Sequence, residues 1–486
     1  NTGAVNGAWF LGGLVGFNST GGSIDGSWNT GEVTGTGDFI GGLVGANYTL
    51  SSISNSYSTG NVGGVNQVGG LVGYNQGSIS GSFHGMGTVS GVQQVGGVAG
   101  GNADTGTIDS SFNAGSVSGT GSLYVGGLTG LNAGSITNSY NAGDVTGVGM
   151  VGGLVGSSIG PIANSYSIGA VSGTGSNIGG LVGFSGGAGS IINSYSTGAV
   201  SGPGGMTGGL VGGNSGPITS SYWDTQTSGQ ATSAGGTGLT TAQMMTPGSF
   251  SGWDFTNTWW MSAGNTRPFL RAEYSTTIAN AHQLQLALLD LSASYVLARD
   301  IDMGELTRAS GMWNTATGFV PLGNNNLSNP VEIFTGSFDG QGHTITGLYI
   351  NRPTTQYVGM FGGTGGGATN IIQNVGLVDM NVTGGFQTGG LVAHTGASVK
   401  NSYTTGSVTS GNNNVGGLVG LSAGSVTDCY STATVNGNTW VGGLVGTLYS
   451  NGSVSNSYSA GAVSGSSSVG GLIGYRYGSN LSLIHI

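Results

Sequence analysis

The sequence predicts an all-β protein: a right-handed parallel β-helix, or β-solenoid, with about three short strands in each coil and tandem modules separated by capping segments. Three observations carry this. A Gly-Gly-Leu-Val-Gly phrase returns with a fixed period of 26 to 30 residues, three short apolar stations recur within each period, and 106 glycines accompany only 5% charged residues in a 486-residue chain.

The Gly pair opens at Gly12, Gly41, Gly69, Gly96, Gly126, Gly152, Gly179 and Gly208, and again at Gly389, Gly416, Gly442 and Gly470. Such a period, sustained over many copies, is the signature of a repeat architecture. One period holds Leu71/Val72, then Ile79 and Phe83, then Val89; another holds Leu128, then Ile136 and Tyr140, then Val145. Each station is too short for a helix and is bounded by Gly, Asn and Ser, so it reads as a strand between turns. A coil of this kind cannot bury its own apolar side chains. Coils must therefore stack, about 4.8 Å apart, each strand pairing in parallel with its equivalent in the next.

Stacking turns repeat positions into columns. Trp28, Tyr57, Phe83, Phe112, Tyr140, Tyr166, Tyr195 and Tyr222, then Tyr403, Tyr430 and Tyr458, form an aromatic ladder. Each favourable ring pair adds about 0.5–1.5 kcal/mol. Asn18, Asn47, Asn75, Asn102, Asn132 and Asn214 form a second column at a corner, where Asn tolerates left-handed backbone and bonds the next coil. Ser precedes the ring in almost every copy, and Cys429 replaces it once; a small buried residue at that position is a packing substitution. One phrase resists simple alternation, because strict period two puts Val68 and Val72 on one face and Leu71 on the other. A bend at the Gly pair would turn all of them inward; the alternative is an exposed Leu column serving lateral contact.

The unit Gly-Gly-Leu-Val-Gly, Gly-Ser-Ile, Ser-Tyr-Ser-Thr-Gly resembles the GLUG-motif repeats of large bacterial surface and secreted proteins, including filamentous-haemagglutinin-like adhesins and non-catalytic regions of immunoglobulin A metallopeptidases. The resemblance covers roughly two thirds of the chain and implies a surface or secreted solenoid without implying an activity.

A net charge of −10 excludes nucleic acid and anionic membrane as partners, since no basic patch can neutralise phosphates. No run of 18 apolar residues is present, so no membrane insertion is expected. A single Cys leaves no disulfide framework. Nearly uncharged Ser, Thr, Asn and Gly faces point to an extracellular or cell-surface location.

In chain order, residues 1–222 form the first array. Asn1–Val5 repeats the pattern of Ser196–Val200, so the sequence reads as opening inside a repeat. Residues 223–273 hold Trp253, Trp259 and Trp260 and read as an end cap and linker; the competing reading is a glycan-stacking site on those three tryptophans. Residues 274–383 start a second solenoid with a helix over 278–291, its Gln, Asp and His facing away from its apolar side. This succession resembles the capping helix and first coils of pectin-lyase-like β-helices. Residues 384–480 resume the regular array, with the modules joined near Arg271–Ser275, and 481–486 match nothing in the repeat.

Enzymatic chemistry on such a scaffold needs clustered carboxylates on adjacent coils. Asp25 and Asp109 share a repeat position but lie three coils apart. Asp300, Asp302, Glu305 and Asp339 read as turn and corner residues, and the five His are scattered without a zinc motif. No catalytic residue, cofactor or metal is expected. A Thr column through Thr30, Thr59, Thr197 and Thr405 raises an ice-binding reading, but Ala114, Ala142, Ile168 and Ala460 interrupt it. The expectation is a non-enzymatic solenoid filament, adhesin stalk or matrix fibre. Its partners are further copies of itself, end to end or laterally, and cell-surface glycans. A carbohydrate-binding or polysaccharide-acting β-helix is the alternative.

Overall fold

The computed structural model describes residues 1–121, 123–323, 332–367, 369–449 and 451–478; the off-pattern tail 481–486 lies outside them. The fold is all-β, with 6% helix and parallel sheets stacked as a β-solenoid of about 16 turns. It divides into two compact units, Asn1–Gly264 and Asn265–Ile486.

In the first unit the opening coil consists of β1 (Val5–Gly7), β2 (Leu11–Gly12), β3 (Val15–Asn18), β4 (Ser23–Asp25) and β5 (Trp28–Asn29). The next coil lies on it in parallel register, with Val5 opposite Val33, Leu11 opposite Ile40, Val15 opposite Val44, Ile24 opposite Ile53 and Trp28 opposite Tyr57. Repetition builds five sheets, four of eight strands and one of nine.

The coil therefore has five short strands where three were expected, because two of the three apolar stations are bent. The first bend is the Gly pair between β2 and β3. It sends Val68 into one core and Leu71 and Val72 into another, all fully buried, so no Leu column is exposed. The second bend, between β4 and β5, is a single residue with left-handed backbone: Gly26, Asn55, Gly81, Ser110, Asn138, Asn164, Asn193 and Ser220 in successive coils. Short polar side chains and Gly meet that conformation at least cost. The asparagines expected to be left-handed, Asn18 to Asn132, instead end β3 and are buried.

Each coil is pinched between its two cores. The second residue of the β5 strand points inward and meets the Gly pair across the interior, as Asn29 Nδ2 does in donating to the Gly42 carbonyl at 2.8 Å. A Cβ on Gly42, Gly97 or Gly153 would lie within 2.4 Å of Ser58, Asn113 or Ser167. The Gly pair is thus required by close approach, and a polar column separates two apolar ones.

Side-chain ladders run along the stack. Asn18, Asn47, Asn75 and Asn102 each donate to the next amide oxygen at 2.8–2.9 Å, and Asn132 ends the series by donating to Ser158 Oγ at 3.0 Å. The serines before the rings form another series, in which each hydroxyl accepts the backbone N–H of its counterpart one coil earlier, as Ser82 accepts from Ser56 at 3.1 Å.

Residues 223–264 close the first unit. Trp223 replaces the small polar residue of β5 and enters the core, and Thr237–Leu239 adds the ninth strand. Two one-turn helices, Thr225–Ser228 and Thr241–Met244, are capped by Asp224 and Thr240. Neither shows a helical period long enough to read in sequence.

The second unit begins earlier than expected. Residues 265–273 pack within it: Thr266 bridges Trp313, Arg267 is buried and donates to the Gly311 and Ala309 carbonyls, and Phe269 and Leu270 are buried. The boundary consequently falls at Gly264/Asn265 and not at Arg271–Ser275. The helix is shorter than expected, Ala281–Leu286 continuing as a 3₁₀ turn over Ala287–Leu289. Its polar side faces solvent only in part, since His282 and Gln285 are buried, Gln283 is half-buried and Asp290 is exposed. Gln285 is satisfied by Trp313 Nε1 and the backbone of Val320. Coils then stack as before, except that β5 and β1 merge into the long strands Gly376–Gly384 and Tyr403–Ser410, with a register shift between Leu377 and Met380.

Candidate functional site

The aromatic ladder lies on the outer face of the β5 sheet. From Tyr57 to Tyr195 successive rings stack at 4.7–5.0 Å and within 8° of parallel; Trp28 and Tyr57 are 6.1 Å apart. Trp28 is 51% exposed, Tyr57, Phe83 and Phe112 are half-buried, and Tyr140, Tyr166, Tyr195 and Tyr222 are buried. Parallel stacking turns ring edges to solvent and leaves free faces only where the column ends.

The tryptophans proposed for glycan stacking cover this column. Trp259 is fully buried and lies 5.9 Å from Tyr195 and 6.4 Å from Tyr166. Trp253 stacks on Trp259 at 4.2 Å, approaches Tyr222 at 5.9 Å and donates Nε1 to the Ser220 carbonyl. Neither ring offers an open face to a sugar, and Trp260 alone is partly exposed. This is the geometry of a lateral cover, which hides the rings of the last coils from water.

The sequence reading missed a second aromatic group. Phe10 and Phe39 stack at 4.7 Å, Phe17 and Tyr48 at 4.5 Å, and Tyr74 meets Phe39 and Tyr48 edge-on. Phe10 and Phe39 have left-handed backbone, which flips them outward from β2. The signal was an aromatic two residues before the Gly pair, and it recurs at Trp440, which stacks on Tyr475 at 5.3 Å.

The acidic residues are held in structural bonds. Asp25 accepts from Ser54 and Asn55, and Asp109 from Thr137 and Asn138. Asp300 accepts from the Thr344 N–H and sits 3.2 Å from His343 Nδ1. Asp302 accepts from the Gly304 N–H, and Asp339 from Gln373 and Asn374.

One charged cluster was not foreseen, because its members belong to no repeat. His282 lies between two carboxylates, Nδ1 2.7 Å from Glu273 and Nε2 3.0 Å from Glu305. Burial alone would depress its pKa, but Glu305 and Glu273 raise it to about 10. Against the same burial, His282 and Arg308 hold Glu305 below the usual carboxylate range. Glu273 also accepts from the Leu270 N–H and Glu305 from the Met312 N–H. The arrangement ties the helix to the segment before it and the turn after it.

Cys429 is buried and its thiol donates to the Thr427 carbonyl at 3.2 Å, in the place where Ser402 donates to Lys400. Burial pushes the thiol up to about 11, away from reactive thiolate chemistry. The Thr column is not a flat exposed array: Thr30 is exposed and Thr197 is fully buried. Among the described residues no group of three or more His, Cys, Asp or Glu is arranged to hold a metal ion, and no helix is long and apolar enough to cross a membrane.

Comparison with known proteins fits this repeat. A segment of 122 residues, 25% of the chain, is 40% identical to Halomucin of Haloquadratum walsbyi and spans about 1% of that protein's length. A crystal structure of a protein from Bacteroides ovatus, proposed to be an immunoglobulin A1 protease, matches 50% of this chain and 78% of its own, at 17% identity and a TM-score of 0.33. The model of the GLUG motif matches residues 40–63, 121–146, 174–201 and 411–436, in both units. The chain is a β-solenoid that carries GLUG-motif repeats.

Proposed function

We propose that this chain is a non-enzymatic structural protein of the cell surface or extracellular space, contributing a β-solenoid segment to a filament, adhesin stalk or matrix fibre. The observation that carries the reading is the unbroken register of the β1–β5 sheets through every coil of the first unit, with apolar and hydroxyl columns continuous along it and an amide column running from Asn18 to Asn132. Such a stack resists unfolding coil by coil, because each coil is the template for the next. The GLUG repeats and the likeness to Halomucin support a surface role, and the 5% charged content supports contacts made by area with further copies or with glycans. The engagement of Asp25, Asp109, Asp300 and Asp339 in corner bonds supports a scaffold over a catalyst.

The test is cryo-electron microscopy of the protein in its native extracellular material. The expected result is continuous fibres with an axial repeat near 4.8 Å that bind antibody raised against this chain. Discrete particles that never join would overturn the filament reading.

A further inference from the structure

The aromatic column of the second unit ends over a glycine. Tyr458, Tyr430 and Tyr403 stack at 5.1 and 4.7 Å, within 4° of parallel. The register then places Gly376 opposite Tyr403 and Thr344 opposite Gly376. In the first unit every rung from Trp28 to Tyr222 is aromatic, and the last rungs are covered by Trp253 and Trp259. Here the next rung is missing, and the Tyr403 ring leans across the gap: a Cβ on Gly376 would stand 2.3 Å from Cζ of Tyr403.

A cavity of about 450 Å³ opens at this place, lined by Tyr403, Gly376, Gly342, Gln341, Asn374 and Asn401. That volume falls in the range of small-ligand sites. Gln341, Asn374 and Asn401 occupy the left-handed corner of three successive coils, at φ 54°, 54° and 44°, so three side-chain amides line one edge. Asn374 is oriented from two sides, donating to Asp339 at 2.9 Å and accepting from Asn401 at 3.2 Å. The Gln341 side chain makes no hydrogen bond to another described residue and is exposed. The lining has no charged side chain, and Asp339 behind it disfavours an anion.

A tyrosine ring beside a row of amides matches a molecule with one C–H face and a rim of hydroxyls. We propose that this cavity binds an uncharged pyranose residue of a glycan, stacked on Tyr403 and hydrogen-bonded by Gln341, Asn374 and Asn401. The sugar lies in the cavity beside the Tyr403 ring, which itself overlies Gly376. This site is separate from the structural role proposed for the coils, and its failure would leave that role standing.

Saturation-transfer NMR on the full chain with the methyl pyranosides of glucose, galactose, mannose, N-acetylglucosamine and glucuronic acid tests the assignment. At least one neutral glycoside is expected to receive saturation, strongest on the ring methines of one face. Tyr403→Ala should weaken binding at least about tenfold, the loss of roughly 1.4 kcal/mol of stacking and contact. Gly376→Tyr, which would drive the Tyr403 ring out of its present place, should block it, and Tyr458→Ala should leave it unchanged. Should Gly376→Tyr fail to fold, Gln341→Ala at an exposed position is expected to weaken binding about threefold. No transfer to any neutral glycoside, transfer unaltered by Tyr403→Ala, or a preference for the glucuronide would overturn the proposal.

Discussion

Asn75 donates its amide to Asn102 Oδ1 at 2.8 Å while accepting from Asn47 at 2.9 Å, so each buried amide satisfies its neighbours in both directions. Asn75→Ala would leave the Asn102 acceptor without this donor and Asn47 Nδ2 with only a 3.5 Å contact to Ser78. The expected cost is roughly 2–4 kcal/mol, from two buried groups left unsatisfied. Urea unfolding followed in the first unit by hydrogen exchange checks it; an unchanged midpoint would remove the ladder from the stability argument.

The two kinds of glycine in the coil should differ in their tolerance of a side chain. Gly70→Ala puts a Cβ 2.1 Å from the Gly97 carbonyl and 2.4 Å from His84, so a loss of roughly 3 kcal/mol or more is expected from overpacking against backbone. Gly81 stands at φ 54°, where other coils carry Asn55 and Asn138, and its Cβ would meet Asn55 alone, the side-chain oxygen at 3.1 Å and the backbone nitrogen at 3.9 Å. Gly81→Asn should change stability by less than about 1 kcal/mol. Thermal melts of the two variants decide between them.

The units should differ in their response to pH. His84 is buried and neutral, bonded through Nε2 to the Gly87 carbonyl at 3.0 Å, and burial lowers its pKa from 6.5 to about 4. Its contribution is present above pH 6.5 and is lost as the pH falls through about 4. His282 behaves oppositely: its contribution is complete below 6.5 and is lost as the pH rises through about 10. Hydrogen exchange on the whole chain should show both units loosening in acid, since Glu305 and His394 of the second also lose their contributions as the pH falls, and the second alone losing the His282 contribution in alkali. His84→Asn should flatten the acid limb alone. His282→Gln should weaken the second unit at neutral pH and flatten its alkaline limb.

Trp259→Ala empties the cover over Tyr166 and Tyr195, with an expected loss of about 3–5 kcal/mol and greater exposure of those tyrosines. If Trp259 serves the fold alone, retention of the chain on immobilised glycans should follow the folded fraction. Loss of retention in fully folded protein would return the glycan role to this segment.

Cys429 should be inert to a thiol-directed disulfide reagent until the second unit unfolds. Cys429→Ser is expected to be tolerated within about 1 kcal/mol, since Ser402 and Ser457 make the same bond in adjacent coils at 2.7 Å. Rapid labelling of native protein would contradict the burial described here.

Period and columns were legible in the sequence because stacking forces identical neighbours to meet. The Trp28-to-Tyr222 column follows from spacing alone, whereas spacing left the bend at Val68–Val72 open against an exposed Leu column. The pinch does not follow from it either, since one must know that Asn29 reaches across to Gly42 before the Gly pair reads as a contact instead of a turn. Nor could the outward turn of Phe10 and Phe39 be read, because it depends on left-handed backbone at residues that seldom adopt it. The Glu273–His282–Glu305 cluster and the gap at Gly376 lie where the repeat fails. Residues with no counterpart in other coils give spacing arguments nothing to compare.

The Gly pair has a consequence for heredity as well as for packing. One pair closes both cores of a coil, so half a coil cannot be lost without opening the other half to water. A gene encoding such a stack can therefore lengthen or shorten its product by whole periods, while a partial deletion would break the pairing in each sheet whose strand it removes.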